Sequence, residues 1–193
     1  MVRNATEADV PAILAIYAPY VLNTTATFEY DVPTQEEFTQ RFRDITRQFP
    51  WLVWEEDGKI LGYAYASAPY VRAAYGWCAE PSVYLVPQAQ HRGIGSGLYA
   101  ALEYCLALQG YHLLYALVTS ENETSMMFHR KAGYFLRAEF PNCAYKFKRS
   151  LGVNWLEKRI KSVETPSFPP TPWPAIMHSA QKFSDILCAL SLF

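Results

Sequence analysis

The sequence predicts a mixed α/β domain: one sheet with helices on both faces. Two observations carry this. Trp51–Glu55 and Ile60–Ser67 are β-rich runs joined across Asp57-Gly58, a pair that favours a tight hairpin turn. Further on, short apolar runs alternate with helical periodicity. Ser82–Val86 (SVYLV) is followed by a turn-rich stretch and a helix, and then by Leu113–Val118 (LLYALV). The second run is apolar throughout, as a strand covered on both faces would be.

The elements follow in order. Val2-Arg3 begins a short strand. Thr6-Glu7-Ala8-Asp9 has the form of a capping box with Asp in place of Glu or Gln. Val10, Ile13, Leu14 and Tyr17 then recur at helical spacing, with Pro11 early in the helix and Pro19 expected to mark its end. Thr24–Tyr30 (TTATFEY) is β-branched and aromatic and reads as extended. Thr34-x-x-Glu37 opens a second helix bearing Phe38, Phe42 and Ile45. Leu98, Leu102, Cys105 and Leu106 share one helical face that stops at Gly110. Asn122–Ala132 is helical and ends at Gly133. Tyr134–Phe140 and Ala144–Phe147 are expected to pair as two closing strands across an Asn142-Cys143 turn.

Composition excludes several classes. The 193 residues are 51% hydrophobic and only 18% charged, with a net charge of −1. This is a globular composition, with no single-sign field to hold nucleic acid or a membrane surface. No apolar run is long enough to span a bilayer, and MVRNATEADV has no apolar signal core. The expectation is a cytoplasmic protein without nucleic-acid or membrane partners. Cys78, Cys105, Cys143 and Cys188 show no metal spacing, so no metal is expected and the cysteines read as small buried hydrophobes. Five prolines within 162–174 mark an extended connector. It separates a body, 1–161, from a tail, 175–193, whose Ile176, Ala180, Phe183, Leu187 and Leu190 form one apolar helical stripe. That stripe fits a helix packed on its own domain or a strut across a dimer partner; His178 falls on the polar face.

The sharpest local feature is Gln90-His91-Arg92-Gly93-Ile94-Gly95-Ser96-Gly97, between an apolar strand and an amphipathic helix. Glycines there let backbone approach a ligand, and the helix start adds partial positive charge. Together they suit an anion such as a diphosphate. The loop lacks the Lys of a P-loop and has Leu98 where the Rossmann fingerprint needs Gly. The pattern Q-x-x-G-x-G resembles motif A of the GCN5-related N-acetyltransferases, the GNAT family. Asn122 through Phe128-His129-Arg130-Lys131-Ala132-Gly133-Tyr134 resembles the family's second signature, with His129 where Tyr is usual. That His, together with Thr24–Glu29, Arg72-x-x-Tyr75, Glu80, Ser82-Val83-Tyr84-Leu85 and Tyr145–Arg149, is similar to the phosphinothricin and methionine sulfoximine acetyltransferase branch.

The resemblance implies the GNAT fold, a mostly antiparallel sheet with a parallel, splayed pair in the middle. It implies acetyl transfer from acetyl-CoA to the primary amine of a small amino-acid-like substrate, by direct attack in a ternary complex. Glu80 becomes the candidate base, raised by burial beside Trp77 and Tyr84, and His129 the candidate proton donor or relay. The amide near Leu85 would polarise the thioester, and Val86 would pair with the pantetheine arm. Gln90, His91, Arg92, Gly93, Ile94, Gly95, Ser96, Asn122 and Lys131 would contact the coenzyme. Arg72 and Tyr75 would clamp the substrate's acidic group, with Phe28 and Tyr84 as pocket walls. A homodimer is expected. Alternatives are acetylation of a protein or polyamine amine, or a non-catalytic acyl-CoA-binding regulatory domain. Pro81, Asn142-Cys143, Ser150 and Gly152 depart from the branch's pattern.

Overall fold

The computed structural model describes residues 1–161 and 168–178. Among the described residues seven strands form one sheet in the order β1-β2-β3-β4-β5-β7-β6. These are β1 (Val2–Asn4), β2 (Trp51–Glu56), β3 (Lys59–Ser67), β4 (Cys78–Leu85), β5 (Leu113–Thr119), β6 (Phe135–Lys146) and β7 (Arg149–Arg159). All neighbours are antiparallel except β4 and β5, which run parallel and pair only at Cys78–Leu113 and Ala79–Leu114. The helices are α1 (Val10–Asn23), α2 (Gln35–Thr46), α3 (Ile94–Gln109), α4 (Glu123–Lys131) and α5 (Trp173–His178).

Each face of the sheet has its own core. Ile13, Tyr17 and Val21 of α1 and Phe38 and Phe42 of α2 pack on Trp51, Val53 and Tyr63. Leu98, Leu102, Cys105 and Leu106 of α3 pack on Leu52, Ala64, Ala79, Leu114 and Leu156 from the other side. The apolar stripe of α3 is the one the spacing predicts. The Thr34 box closes: its hydroxyl accepts from Glu37 N–H at 3.2 Å, and the Glu37 carboxylate accepts from Thr34 N–H at 2.8 Å. At the start of the chain Asp9 accepts from Thr6 N–H at 2.7 Å and pairs with Arg3 at 2.7 Å.

Four expectations are corrected. Pro19 does not end α1, which runs to Asn23. Packing of Tyr17 and Tyr20 against Tyr84, with ring centroids 5.1 Å apart in both pairs, holds the last turn despite the missing donor. Thr24–Tyr30 is not a strand but an irregular strap fixed by side chains. The two closing strands are one, β6, broken in register between Phe140 and Ala144, where Asn142 takes φ 54°. It pairs with β7, a strand the sequence reading missed, through a two-residue turn at Phe147 (φ 52°) and Lys148 (φ 61°). Left-handed backbone at non-glycine residues is unfavourable by about 1–2 kcal/mol each, so no local signal announced that turn. Of the cysteines, Cys105 is buried, Cys78 half-buried and Cys143 exposed, so the common reading as buried hydrophobes fails for Cys143. Cys188 lies outside the described residues, as does the tail stripe beyond position 178.

Residues 168–178 fold back onto the body. Thr171 N–H donates to the Gln109 carbonyl at 2.8 Å, and Gln109 Nε2 donates to Thr171 at 2.8 Å and to Gln48 at 2.6 Å. Trp173 is 5% exposed within the α3 core, and its indole N–H donates to Asn4 Oδ1 at 2.9 Å. Trp173→Ala should therefore destabilise the body by about 3 kcal/mol, measured by urea unfolding. A loss within error of zero would show that the tail is not part of the folding unit.

Candidate active site

Strand parity places the site. His112 N–H donates to the Trp77 carbonyl at 3.0 Å, so odd-numbered residues of β4 direct their backbone groups toward β5. Val86 N–H donates to the Leu61 carbonyl at 2.9 Å, so even-numbered positions face β3. The β5-facing series is Trp77, Ala79, Pro81, Val83 and Leu85. Pro81 has no N–H, and it falls on this series just after the last β4–β5 pair. The ladder stops there, and the two strands diverge. Pro81, a departure from the branch's pattern, thus sits where the sheet opens.

A cleft of about 960 Å³ fills the opening. Glu80, Tyr84, Leu85, Gln90, His91, Gly93, Gly95, Ser96, Asn122, His129 and Lys131 all line it. Phe28, Arg72, Tyr75, Val86, Arg92 and Ile94 do not. The N–H of Val86 is held by β3, so the backbone groups that face the gap are those of Val83 and Leu85. Leu85 is already engaged: Tyr20 Oη donates to its carbonyl at 2.7 Å and accepts from its N–H at 3.3 Å. Arg92 turns away to Glu56 at 2.8 Å. The Ile94 side chain is buried in the core, leaving only its backbone for the loop. Arg72 and Tyr75 lie on an exposed single turn, 73–75, and Phe28 is also exposed. Described geometry forms no clamp from them, although Tyr70 connects that turn to the site by packing on Tyr75 at 4.4 Å and lying within electrostatic reach of Glu80.

The glycine loop is built as an anion cradle. Gly93 caps α3 with φ 80°, a left-handed position that favours glycine. The first helical bond is Gly97 N–H to the Gly93 carbonyl at 2.9 Å, so the N–H groups of Ile94, Gly95 and Ser96 precede the helical ladder. Gly95 serves packing instead: a Cβ there would stand 3.3 Å from Leu85 Cδ1. Its smallness brings the cradle close against β4. On the other side of the gap Asn122 Oδ1 accepts from Ser125 N–H at 3.0 Å and so caps α4. Open donors at the mouth and free strand backbone deeper in fit a diphosphate followed by an amide-bearing arm.

Two titratable groups sit inside. Burial raises the Glu80 carboxyl above its ordinary value. Tyr65, Tyr84 and Tyr99 lie within its electrostatic reach; Trp77 instead donates to the Phe168 carbonyl at 2.9 Å. His129 is 6% exposed. Its Nδ1 lies 2.8 Å from the Ser125 carbonyl, which only accepts, so Nδ1 carries the proton. Nε2 then accepts from Tyr99 Oη at 3.0 Å. Burial holds the imidazole below its ordinary value, partly opposed by the Ser125 carbonyl. His129 is thus a neutral ring held between a carbonyl and a buried phenol. Tyr20 and Glu121 had no part in the sequence reading; Thr24, Thr25, Ala26 and Arg149, which also line the cleft, lie in the segments Thr24–Glu29 and Tyr145–Arg149 that resemble the branch. Glu121 and Arg149, distant in sequence, pair at 2.5 Å. Among the described residues no group of three His, Cys, Asp or Glu is gathered for a metal.

The His129 environment has a sign that can be checked. Near pH ~6.5 an unfolded His gains a proton that the folded chain resists, so folding weakens as pH falls through that value. Relative to His129→Gln, the wild type should lose unfolding free energy below pH ~6.5 and keep a constant difference well above it. Urea titrations across pH read this; a flat difference would mean the ring is not held neutral.

Comparison with known proteins agrees with this geometry. The sequence matches the Acetyltransferase (GNAT) domain over residues 2–165. It is 32% identical over 145 residues to the phosphinothricin N-acetyltransferase of Streptomyces viridochromogenes, covering 75% of this chain and 79% of that one. It is 33% identical over 162 residues to the L-methionine sulfoximine/L-methionine sulfone acetyltransferase of Pseudomonas paraeruginosa, covering 82% and 94%. The crystal structure of a phosphinothricin acetyltransferase from Sinorhizobium meliloti in complex with acetyl-CoA superposes with a TM-score of 0.82 at 33% identity, covering 89% and 92%. With a splayed β4–β5 pair, a glycine cradle and a family match spanning the whole body, this chain belongs to the GNAT acetyltransferase family.

Proposed function

We propose that the protein transfers acetyl from acetyl-CoA to the primary amine of a small amino-acid-like substrate, of the kind represented by phosphinothricin or methionine sulfoximine and sulfone. The observation that carries this reading is one cleft holding both the α3 cradle and the buried Glu80 carboxyl. The coenzyme supplies an activated thioester; the chain supplies position and proton handling. The amides of Ile94, Gly95 and Ser96 and the side chain of Lys131 hold the diphosphate end. Backbone of Val83 and Leu85 aligns the arm and offers an N–H to the thioester oxygen. Glu80 takes the proton that frees the amine's lone pair, directly or through water, and its raised proton affinity suits that task better than an exposed carboxylate. His129 also lines the cleft and serves as the relay by which the departing sulfur gains a proton. Among the described residues no cysteine lines the cleft, and the reading is direct attack in a ternary complex. We place this chemistry in the cytoplasm, where acetyl-CoA and free amino acids meet.

We further infer a homodimer. Helices α1 and α2 cover one face of the sheet only as far as β4. Beyond it Tyr115, Trp155 and Phe140 pack on one another at 5.8–5.9 Å, with Phe140 45% and Leu117 41% exposed. The twelve-residue edge strand β6 borders this face. An apolar sheet face beside a long free edge is suited to a second copy.

Two measurements test these readings. In a thiol-release assay over a panel of amino acids and their phosphinate, sulfoximine and sulfone analogues, at least one amine should turn over. There Glu80→Gln should lower kcat at least tenfold while acetyl-CoA binding stays within twofold. Binding without turnover on every amine would favour the regulatory alternative. Light scattering should give twice the 22.0 kDa chain mass for the wild type and the single mass for Phe140→Glu; a monomeric wild type would remove the dimer.

A further inference from the structure

Lys146 is a buried cation, 2% exposed, near the end of β6. Its Nζ donates to the carbonyls of Thr24 at 2.9 Å and Thr27 at 2.7 Å, more than a hundred residues away in sequence. A buried ammonium is costly unless its donors are satisfied. Among the described residues no carboxylate lies within ion-pair distance of it. Its partners are main-chain carbonyls of the strap 24–30.

The same strap is tied from other directions. Thr119 Oγ1 donates to the Thr25 carbonyl at 2.5 Å, and Thr25 Oγ1 donates to Glu121 at 2.9 Å. The Tyr17 and Thr27 hydroxyls are 2.8 Å apart, and Arg41 pairs with Glu29 at 2.7 Å. The carbonyls of Thr24, Thr25 and Thr27 all turn into the protein, while Thr24, Thr25 and Ala26 line the cleft. Tyr17, bonded to Thr27, packs on Tyr84 at 5.1 Å, and Tyr84 lies on the same face of β4 as Glu80. The strap and the Glu80 carboxyl therefore share the α1 side of β4, away from the α3 cradle.

We propose that Lys146 is a positioning residue for the amine substrate: by gripping two carbonyls of the strap it sets the cleft wall on the Glu80 side. This rests on the acetyl-transfer reading of the cleft. A strap with no strand partner gains order only from such ties, and an ammonium can hold two carbonyls that a neutral aliphatic side chain cannot. Wall and carboxyl then form a fixed pocket, while the coenzyme end is held by separate groups.

The test uses the whole chain. Amide hydrogen exchange of the unliganded protein reads strap order without any substrate. Lys146→Met should raise exchange within 24–30 at least tenfold over its change elsewhere. It should raise KM for the amine at least tenfold, with the Kd for acetyl-CoA within twofold. Lys146→Gln, which keeps an N–H donor, should fall between Met and wild type on both readouts, and it decides the matter if the Met variant does not fold. Unchanged strap exchange in the folded variant would overturn the inference, as would equal weakening of amine and coenzyme. If instead the wild type acetylates no amine, the acetyl-transfer reading fails whatever the strap does.

Discussion

The divergence of β4 from β5 is the constraint on which the site depends. Parallel strands that paired along their whole length would leave no cleft. Here the ladder closes at Cys78 and Ala79 and then meets a proline whose missing donor faces the partner strand. On the opposite edge β4 keeps its register with β3 through Leu85, so one side of the strand stays anchored while the other is released. That asymmetry makes β4 at once a core strand and an open edge. Both helix cores serve it: α1 and α2 hold the face that carries Glu80 and Tyr84, and α3 holds the face that carries Val83 and Leu85.

The chemistry follows from where side chains of one strand alternate. Glu80 emerges among tyrosines, and burial raises its proton affinity. His129 emerges from α4 on the far side of the gap, with both ring nitrogens committed to a carbonyl and a phenol. Environment thus pushes one group toward holding a proton and the other toward releasing it, a division of labour that general acid–base chemistry needs.

Features written in short windows were legible in the sequence. The Asp57-Gly58 hairpin, the apolar stripe of α3, the Thr34 box and the Asn122 cap are each set by a few adjacent residues. So was the glycine loop at the start of α3. What escaped depends on pairing across distance. Pro19 reads as a stop until Tyr84 is seen to brace the last turn of α1. The bulge in β6 and the Phe147-Lys148 turn oppose local preference, and β7 imposes them. Arg92 and Val86 belong to the right loop and strand, but an ion pair to Glu56 and a bond to Leu61 claim the groups that were to face the ligand. Nothing adjacent to Lys146 in the sequence points to the two strap carbonyls that surround it.

Tyr20 gives the open edge of β4 an unusual character. Its single hydroxyl gives a proton to one polar group of Leu85 and takes one from the other, which is what a neighbouring peptide would do. The slot is therefore pre-satisfied, and anything docking beside Leu85 swaps one set of contacts for an equivalent set. Net attraction at that point is small by construction. Grip on a long, flexible guest must then come mainly from its charged head at the start of α3, leaving the acyl end free to be placed rather than clutched.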